Sequence, residues 1–212
     1  MAAKPHLLIE TAVTHPPAVY THIAGLDEAG RGALAGPVVA AAVILPLDSP
    51  DSLYQLEEVN DSKQLTPKSR EVLFSRITHH ATAFAVGIVP AQTIDLIGII
   101  PATKEAMRTA AAQLTTAPDY LLIDGRIRLT TLNIPQQSII RGDSQSLSIA
   151  AASIIAKVTR DRLMAELDSQ YPQYGFARHK GYGTKMHRRA IAQFGPCPQH
   201  RHSFSPIRQP LV

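Results

Sequence analysis

Residues 37–45, Pro-Val-Val-Ala-Ala-Ala-Val-Ile-Leu, contain no polar side chain. A run of this length and β-branched content predicts a strand buried on both faces. A chain with such a strand has to cover it twice, so the fold must supply layers on either side. The covering material is unusual, because aromatics make up 5% of the 212 residues and Trp is absent. The core is therefore built from Ala, Ile, Leu and Val. A hydrophobic fraction of 45% excludes a disordered chain. The single cysteine, Cys197, excludes an intramolecular disulfide framework. No apolar run approaches the ~20 residues of a membrane span. Leu7–Ile9 is too short for a signal-peptide core. These features predict a cytoplasmic protein without a membrane partner.

Strand signals precede and then alternate with helical ones. His22–Asp27 predicts a short strand, followed by the glycine-rich turn Glu28–Gly36 and the buried strand Pro37–Leu45. Leu47–Asp61 is irregular and acidic. Thr66–His80 predicts a helix with Pro67 in its first turn. Thr82–Val89 predicts a strand, Pro101–Leu114 a helix, Tyr120–Ile123 a short buried strand, and Gln137–Arg141 another strand. Ser144–Leu167 is the longest helical segment, and Thr184–Phe194 a last helix closed by Gly195-Pro196. Residues 1–20, with Pro5, Pro16 and Pro17, predict a loose arm. The fold class is mixed α/β with a helical tail.

Charge is distributed unevenly. Residues 1–150 carry 11 Lys and Arg against 14 acids, whereas residues 151–212 carry 10 against 3. A one-signed segment of this kind suits a polyanion, although a solvated basic surface has the same signature.

Four acids occupy element ends. Asp27 and Glu28 close the first strand and run into Ala29-Gly30-Arg31-Gly32. Asp124 closes Tyr120–Ile123, and Asp143 precedes the longest helix. Sheets of this class place ligand crevices at the carboxyl ends of their strands. Each acid also has a structural reading. Asp143 suits a helix N-cap, Asp124-Gly125 a plain turn, and Glu28 a surface pair with Arg31. Asp27 has the weakest such alternative. Neighbouring strand residues face opposite sides, so Asp27 and Glu28 converge only if the chain leaves the sheet there. Clustered carboxylates without a Cys/His set favour a hard cation, Mg²⁺ or Mn²⁺. Beside a basic polyanion footprint they suggest metal-assisted phosphodiester hydrolysis. Signatures of phosphate-binding loops, serine hydrolases and zinc sites are absent.

The segment Gly25-Leu-Asp-Glu-Ala-Gly-Arg-Gly-Ala-Leu-Ala-Gly-Pro-Val-Val-Ala closely resembles the first motif of bacterial ribonuclease HII. Further matches follow in family order at Asn60–Leu65, Leu122–Gly125, Gly142–Asp161, Tyr174–Thr184 and His200–Phe204. The resemblance implies a ribonuclease H-like mixed sheet flanked by helices, with a C-terminal helical extension. It divides the chain into an arm (1–20), a catalytic domain (21–170) and a basic extension packed on it (171–212). It implies Mn²⁺- or Mg²⁺-dependent cleavage of RNA in RNA·DNA hybrids, leaving 5′-phosphate and 3′-hydroxyl ends. Ribonucleotide-containing duplex DNA is a further expected substrate, a monomer the expected state, and a replication clamp a candidate partner. Asp27, Glu28, Asp124 and Asp143 match the family's active-site acids. Gly30, Arg31 and Gly32 match its loop for the ribonucleotide 2′-hydroxyl, and Tyr182 its sugar-packing tyrosine. Lys63 and Lys180 are expected near the substrate backbone. Departures from the family pattern occur at Ala33, Gly98–Pro101 and Arg126. A resolvase-like nuclease of the same fold would share the acids but lack the glycine loop and Tyr182. A non-catalytic hybrid-binding module would leave the acids unexplained.

Overall fold

The computed structural model describes residues 9, 10, 12 and 20–207. Its five strands are β1 (Ile23–Ala29), β2 (Val38–Ile44), β3 (Ala83–Val89), β4 (Tyr120–Asp124) and β5 (Gln136–Ile139). They form one sheet in the order β3-β2-β1-β4-β5. β1, β2 and β3 are joined antiparallel, while β1–β4 and β4–β5 are parallel. The helices are α1 (Pro50–Tyr54), α2 (Pro67–His80), α3 (Ala91–Ile97), α4 (Ile99–Ala112), α5 (Leu147–Gln170), α6 (Phe176–His179) and α7 (Lys185–Phe194).

Every residue of β2 is buried, as its composition requires. On one face α4 packs Ala102, Ala106, Met107 and Ala110 against Ala24, Leu26, Ala40 and Ala42. On the other, α5 packs Ala151, Ile154, Ile155 and Val158 against Ala41 and Val43, with Leu73 and Ile77 of α2 outside it. Small side chains on both partners allow close approach, and Gly25 is the extreme case. A Cβ there would lie 2.1 Å from the backbone carbon of Ser148. The first turn of α5 rests directly on β1 because Gly25 offers no side chain.

Several elements differ from the sequence expectation, each for a local reason. β1 continues two residues past Asp27, because β2 still pairs with it through Ala29↔Val39. The helix expected over Pro101–Leu114 is present as α4, while α3 before it was not expected; Gly98, with a φ of +82° that no helix continues through, separates the two. Short helices α1 and α6 were not expected; each is too brief to show a periodicity. β5 ends at Ile139 rather than Arg141. α5 begins at Leu147, not Ser144, and its N-cap is Ser146, whose Oγ accepts from Ile149 N at 3.2 Å. Most of the arm lies outside the described residues. Glu10 within it is fully buried, and its Oε1 accepts from Ser146 Oγ at 2.7 Å and Ser148 N at 2.9 Å. At that residue the chain is fastened to the N-terminus of α5, where a carboxylate is favoured.

Residues beyond α5 form a separate small core. Tyr174, Phe176, Ala190, Ile191 and Cys197 pack with Leu34, Ala35 and Met164. Among the described residues no helix is long and apolar enough to cross a membrane.

Candidate active site

The parallel register of β1 and β4 sets Leu26 beside Ile123. One residue further, Asp27 and Asp124 stand side by side at the end of β4. Alternation places both on the α5 face, since Gly25 touches α5 while Ala24, Leu26 and Ile123 belong to the opposite core. Glu28 lies on the other side of the pleat. It nevertheless feels Asp124, because β4 has already ended while β1 continues along β2. Both acids thus lie within β1, which does not leave the sheet at this point.

Asp143 belongs to the 3₁₀ turn Gly142–Ser144 and does not cap α5; Ser146 does that. Asp124 holds this turn directly, its Oδ1 accepting from Gly142 N at 2.7 Å. The N-cap alternative for Asp143 is thereby excluded, whereas Asp124 does lead into a turn at Gly125–Arg126 and in addition is bonded to the Asp143 turn. The pair of Glu28 with Arg31 is present, at 3.1 Å. Lys63 reaches Asp143 at 3.0 Å.

Burial dominates the electrostatics. It raises the Asp27 carboxyl well above its ordinary value, reinforced by Glu28, Asp124 and Asp143. Glu28 and Asp124 are also raised, first by burial; Arg31 opposes the rise at Glu28, and Asp143 adds to it at Asp124. Lys63 is raised despite its partial burial, chiefly by its bond to Asp143. The four carboxylates outnumber the two cations paired with them, Arg31 and Lys63. Oxygen-only donors that resist ionisation until a cation arrives fit Mg²⁺ or Mn²⁺. Among the described residues no three acids, histidines or cysteines already close on one ion. Two of the four carboxylates instead hold the ammonium of Lys63 and the guanidinium of Arg31.

This imbalance has a measurable consequence. Asp27 has no cationic partner among the described residues, and its Oδ1 accepts from Glu28 N at 2.7 Å, a bond an amide oxygen can also accept. A carboxyl whose pKa is raised by folding stabilises while protonated, and that contribution is lost as pH rises above its ordinary value of 3.8. Asp27→Asn is expected to raise the melting temperature in EDTA at neutral pH, by about 2–4 °C per kcal/mol of relieved repulsion. The gain should shrink in excess Mg²⁺ and towards pH 4. Asp143→Asn, which loses the Lys63 bridge, should show no such gain. Calorimetry of the two variants checks this, and equal destabilisation by both would make these acids structural.

Of the remaining sequence-derived residues, Gly30 and Tyr182 lie beside Arg160, and Lys180 in a neighbouring groove. Gly30 adopts φ +94°, and a Cβ there would lie 1.9 Å from Arg160 Nε. Gly32 meets no such obstruction. Tyr182 lies near the same guanidinium, its ring centroid 5.5 Å from Arg160 Cζ and 5.9 Å from Lys157 Nζ. Lys180 lines a groove of about 670 Å³ with Lys68, Lys157, Arg162 and Arg178.

Two arginines in the quoted motifs carry more than their sequence position suggested. Arg160 and Arg201 are fully buried. Arg160 donates to the carbonyls of Pro37, Ala35 and Lys180 at 2.9–3.0 Å. Arg201 donates to Gly36 and, at 2.9 Å, to the carbonyl of Arg31. They tie the glycine loop to the tail, and Arg201 is no part of a surface footprint. The available signal was Arg160 standing four residues from Ala156 and from Met164, on a buried stripe.

The chain matches the Ribonuclease HII family over residues 24–207. It is 56% identical over 196 residues to Ribonuclease HII of Chloroflexus aurantiacus, covering 91% of each chain. Its fold is similar to that of the ribonuclease H2 from Pyrococcus horikoshii, with a TM-score of 0.74 at 28% identity, covering 88% of this chain and 95% of that one. A PCNA:RNase HII complex from Archaeoglobus fulgidus gives the same TM-score at 27% identity, covering 90% and 98%. The expectation drawn from the motifs holds: the chain belongs to the ribonuclease HII family, endoribonucleases that hydrolyse the RNA strand of RNA/DNA hybrids.

Proposed function

We propose that this chain incises duplex DNA on the 5′ side of a single embedded ribonucleotide, as well as RNA in longer hybrids, leaving 5′-phosphate and 3′-hydroxyl ends. One observation carries the reading: the Gly30-Arg31-Gly32 loop and the Tyr182 ring adjoin one buried guanidinium, that of Arg160. A reader of a ribonucleotide–deoxyribonucleotide junction needs detectors for two adjacent sugars. The 2′-hydroxyl distinguishes RNA from DNA, and a loop backbone without side chains at Gly30 and Gly32 can approach it. The Tyr182 ring, partly exposed, offers a flat surface to a sugar lacking that hydroxyl.

Asp27, Glu28, Asp124 and Asp143 would hold Mg²⁺ or Mn²⁺ in this reading. When bound, the cation supplies an activated water and neutralises charge on the scissile phosphate. Asp124 orients the Asp143 turn through Gly142 N, and Lys63 supports Asp143. Arg31 steadies Glu28. Lys180 and its basic neighbours would track phosphates without reading sequence. The reading places the enzyme in the cytoplasm as a monomer. A replication-clamp contact belongs to it too, by analogy with the Archaeoglobus protein seen with PCNA.

Two duplexes test the substrate reading, one with a lone ribonucleotide and one with a long RNA strand. Wild type should cut both in Mg²⁺. Tyr182→Ala should slow the first reaction more than the second, by about tenfold or more if one sugar is misplaced near 1 Å. Equal losses, or no incision at the lone ribonucleotide by wild type, defeat the junction reading.

A further inference from the structure

Beneath Tyr182 three buried histidines form a stack that the reaction chemistry does not use. His179 and His187 rings lie 4.3 Å apart at 19°, and His200 follows at 5.1 Å from His187. His187 and His200 have no exposed surface, and Phe176 packs edge-on to His179 and His187.

The shortest hydrogen bond at each ring nitrogen sets their proton arrangement. A backbone carbonyl only accepts and a backbone N–H only donates. His187 Nδ1 lies 3.0 Å from the Tyr182 carbonyl and must donate to it. His200 Nδ1 takes the Cys197 N–H at 2.9 Å and so accepts, this being the shortest contact at that nitrogen, ahead of Cys197 Sγ at 3.1 Å and the Cys197 carbonyl at 3.3 Å. The 3.0 Å bond between the two Nε2 atoms then runs from His200 to His187. His179 Nδ1 accepts from Gly181 N at 3.2 Å, so its Nε2–H donates to the Tyr174 carbonyl at 2.7 Å. In this arrangement His179 and His200 carry the Nε2–H tautomer and His187 the Nδ1–H tautomer. Burial and the neighbouring histidines push His187 and His200 down to about 4, in keeping with neutral rings.

We propose that this relay, from the Cys197 amide through His200 and His187, is a positioning device that fixes Tyr182 for discrimination of the junction sugar. The inference rests on the junction reading above. The loop is held at consecutive residues: His179 holds the Gly181 amide, His187 the Tyr182 carbonyl, and Arg160 the Lys180 carbonyl. The Tyr182 carbonyl also accepts from Thr184 N at 2.8 Å, so both its lone pairs are engaged. Side chains that contact a substrate need such a supporting shell to hold their geometry.

Two amide substitutions separate the relay from packing. In His187→Asn the side-chain NH₂ occupies the Nδ1 position and can still donate to Tyr182. In His187→Gln the amide lies at the Nε2 position and that donor is lost. The ratio of lone-ribonucleotide to long-hybrid cleavage should fall roughly tenfold or more in His187→Gln, as in Tyr182→Ala, and largely recover in His187→Asn. Equal ratios for Asn and Gln overturn the relay while leaving the junction reading intact. An unchanged ratio in Tyr182→Ala overturns both. Imidazole ¹⁵N shifts of the wild-type protein give a test independent of variant folding. They should show Nδ1–H at His187 and Nε2–H at His179 and His200 near pH 7, and a His187 Nε2–H tautomer overturns the relay outright.

Discussion

Hybrid cleavage is expected to fall at least about a thousandfold in Asp124→Asn and in Asp27→Asn, because losing several kcal/mol of charge stabilisation costs tenfold per 1.36 kcal/mol. Neither substitution should disturb the fold enough to explain that loss. Asp124 fastens the Asp143 turn through an oxygen that accepts from Gly142 N, and an asparagine oxygen can accept there equally. What disappears is negative charge in a pocket whose oxygens would bind a hard cation. In the proposed reading substrate affinity would come instead from the groove lined by Lys68, Arg178 and Lys180, where Lys157 and Arg162 are paired with Asp161 and Glu71. Binding of an uncleaved hybrid should therefore stay within about threefold of wild type and keep its salt dependence. Titration of a labelled hybrid and single-turnover cleavage in Mg²⁺ measure the two quantities separately. Near-normal Mg²⁺-dependent turnover by Asp124→Asn would remove this acid from the site.

The sheet was legible where one pattern dominates. β2 could be read from its unbroken apolar run, and β4 from the four residues before Asp124. The four acids were legible as a set because they stood at element ends in a chain poor in charge. How they converge was not. The placement of Asp27 beside Asp124 depends on the register of β1 with β4, a pairing relation between segments almost a hundred residues apart. The role of Ser146 rather than Asp143 as the cap of α5 depends on three residues of 3₁₀ turn, too few for periodicity to register. The basic tail was read as surface charge, yet Arg201 and the histidines His179, His187 and His200 are interior. Composition counts such residues as polar and cannot show that backbone carbonyls and amides satisfy them from loops far along the chain.

Arg160 should be the most damaging single loss to the fold itself. Its three guanidinium nitrogens donate to Pro37, Ala35 and Lys180, and no solvent reaches the side chain. Arg160→Met keeps most of the volume but leaves two buried carbonyls, of Pro37 and Ala35, and the part-buried carbonyl of Lys180 without those donors. Each unsatisfied acceptor costs about 1–3 kcal/mol, so the sum approaches the ~5–15 kcal/mol that holds a whole domain together. Part of that cost returns because the burial of a cation, which lowers the Arg160 pKa, is also removed. Arg160→Lys is expected to remain strongly destabilised, since one ammonium cannot reproduce a planar fork aimed at three carbonyls. A drop of about 10 °C or more in melting temperature is expected for Arg160→Met, at about 2–4 °C per kcal/mol for a chain of this size. The damage should be greatest where the bonds lead, at the glycine loop and at residues 180–183. Hydrogen exchange should show amides of both segments losing protection while those of β3 and α4 change least. A methionine variant as stable as wild type would mean that the guanidinium's burial cost cancels its three bonds. In that case Arg160 would be retained for the placement of Gly30 and Tyr182, and the loss would fall on lone-ribonucleotide incision alone.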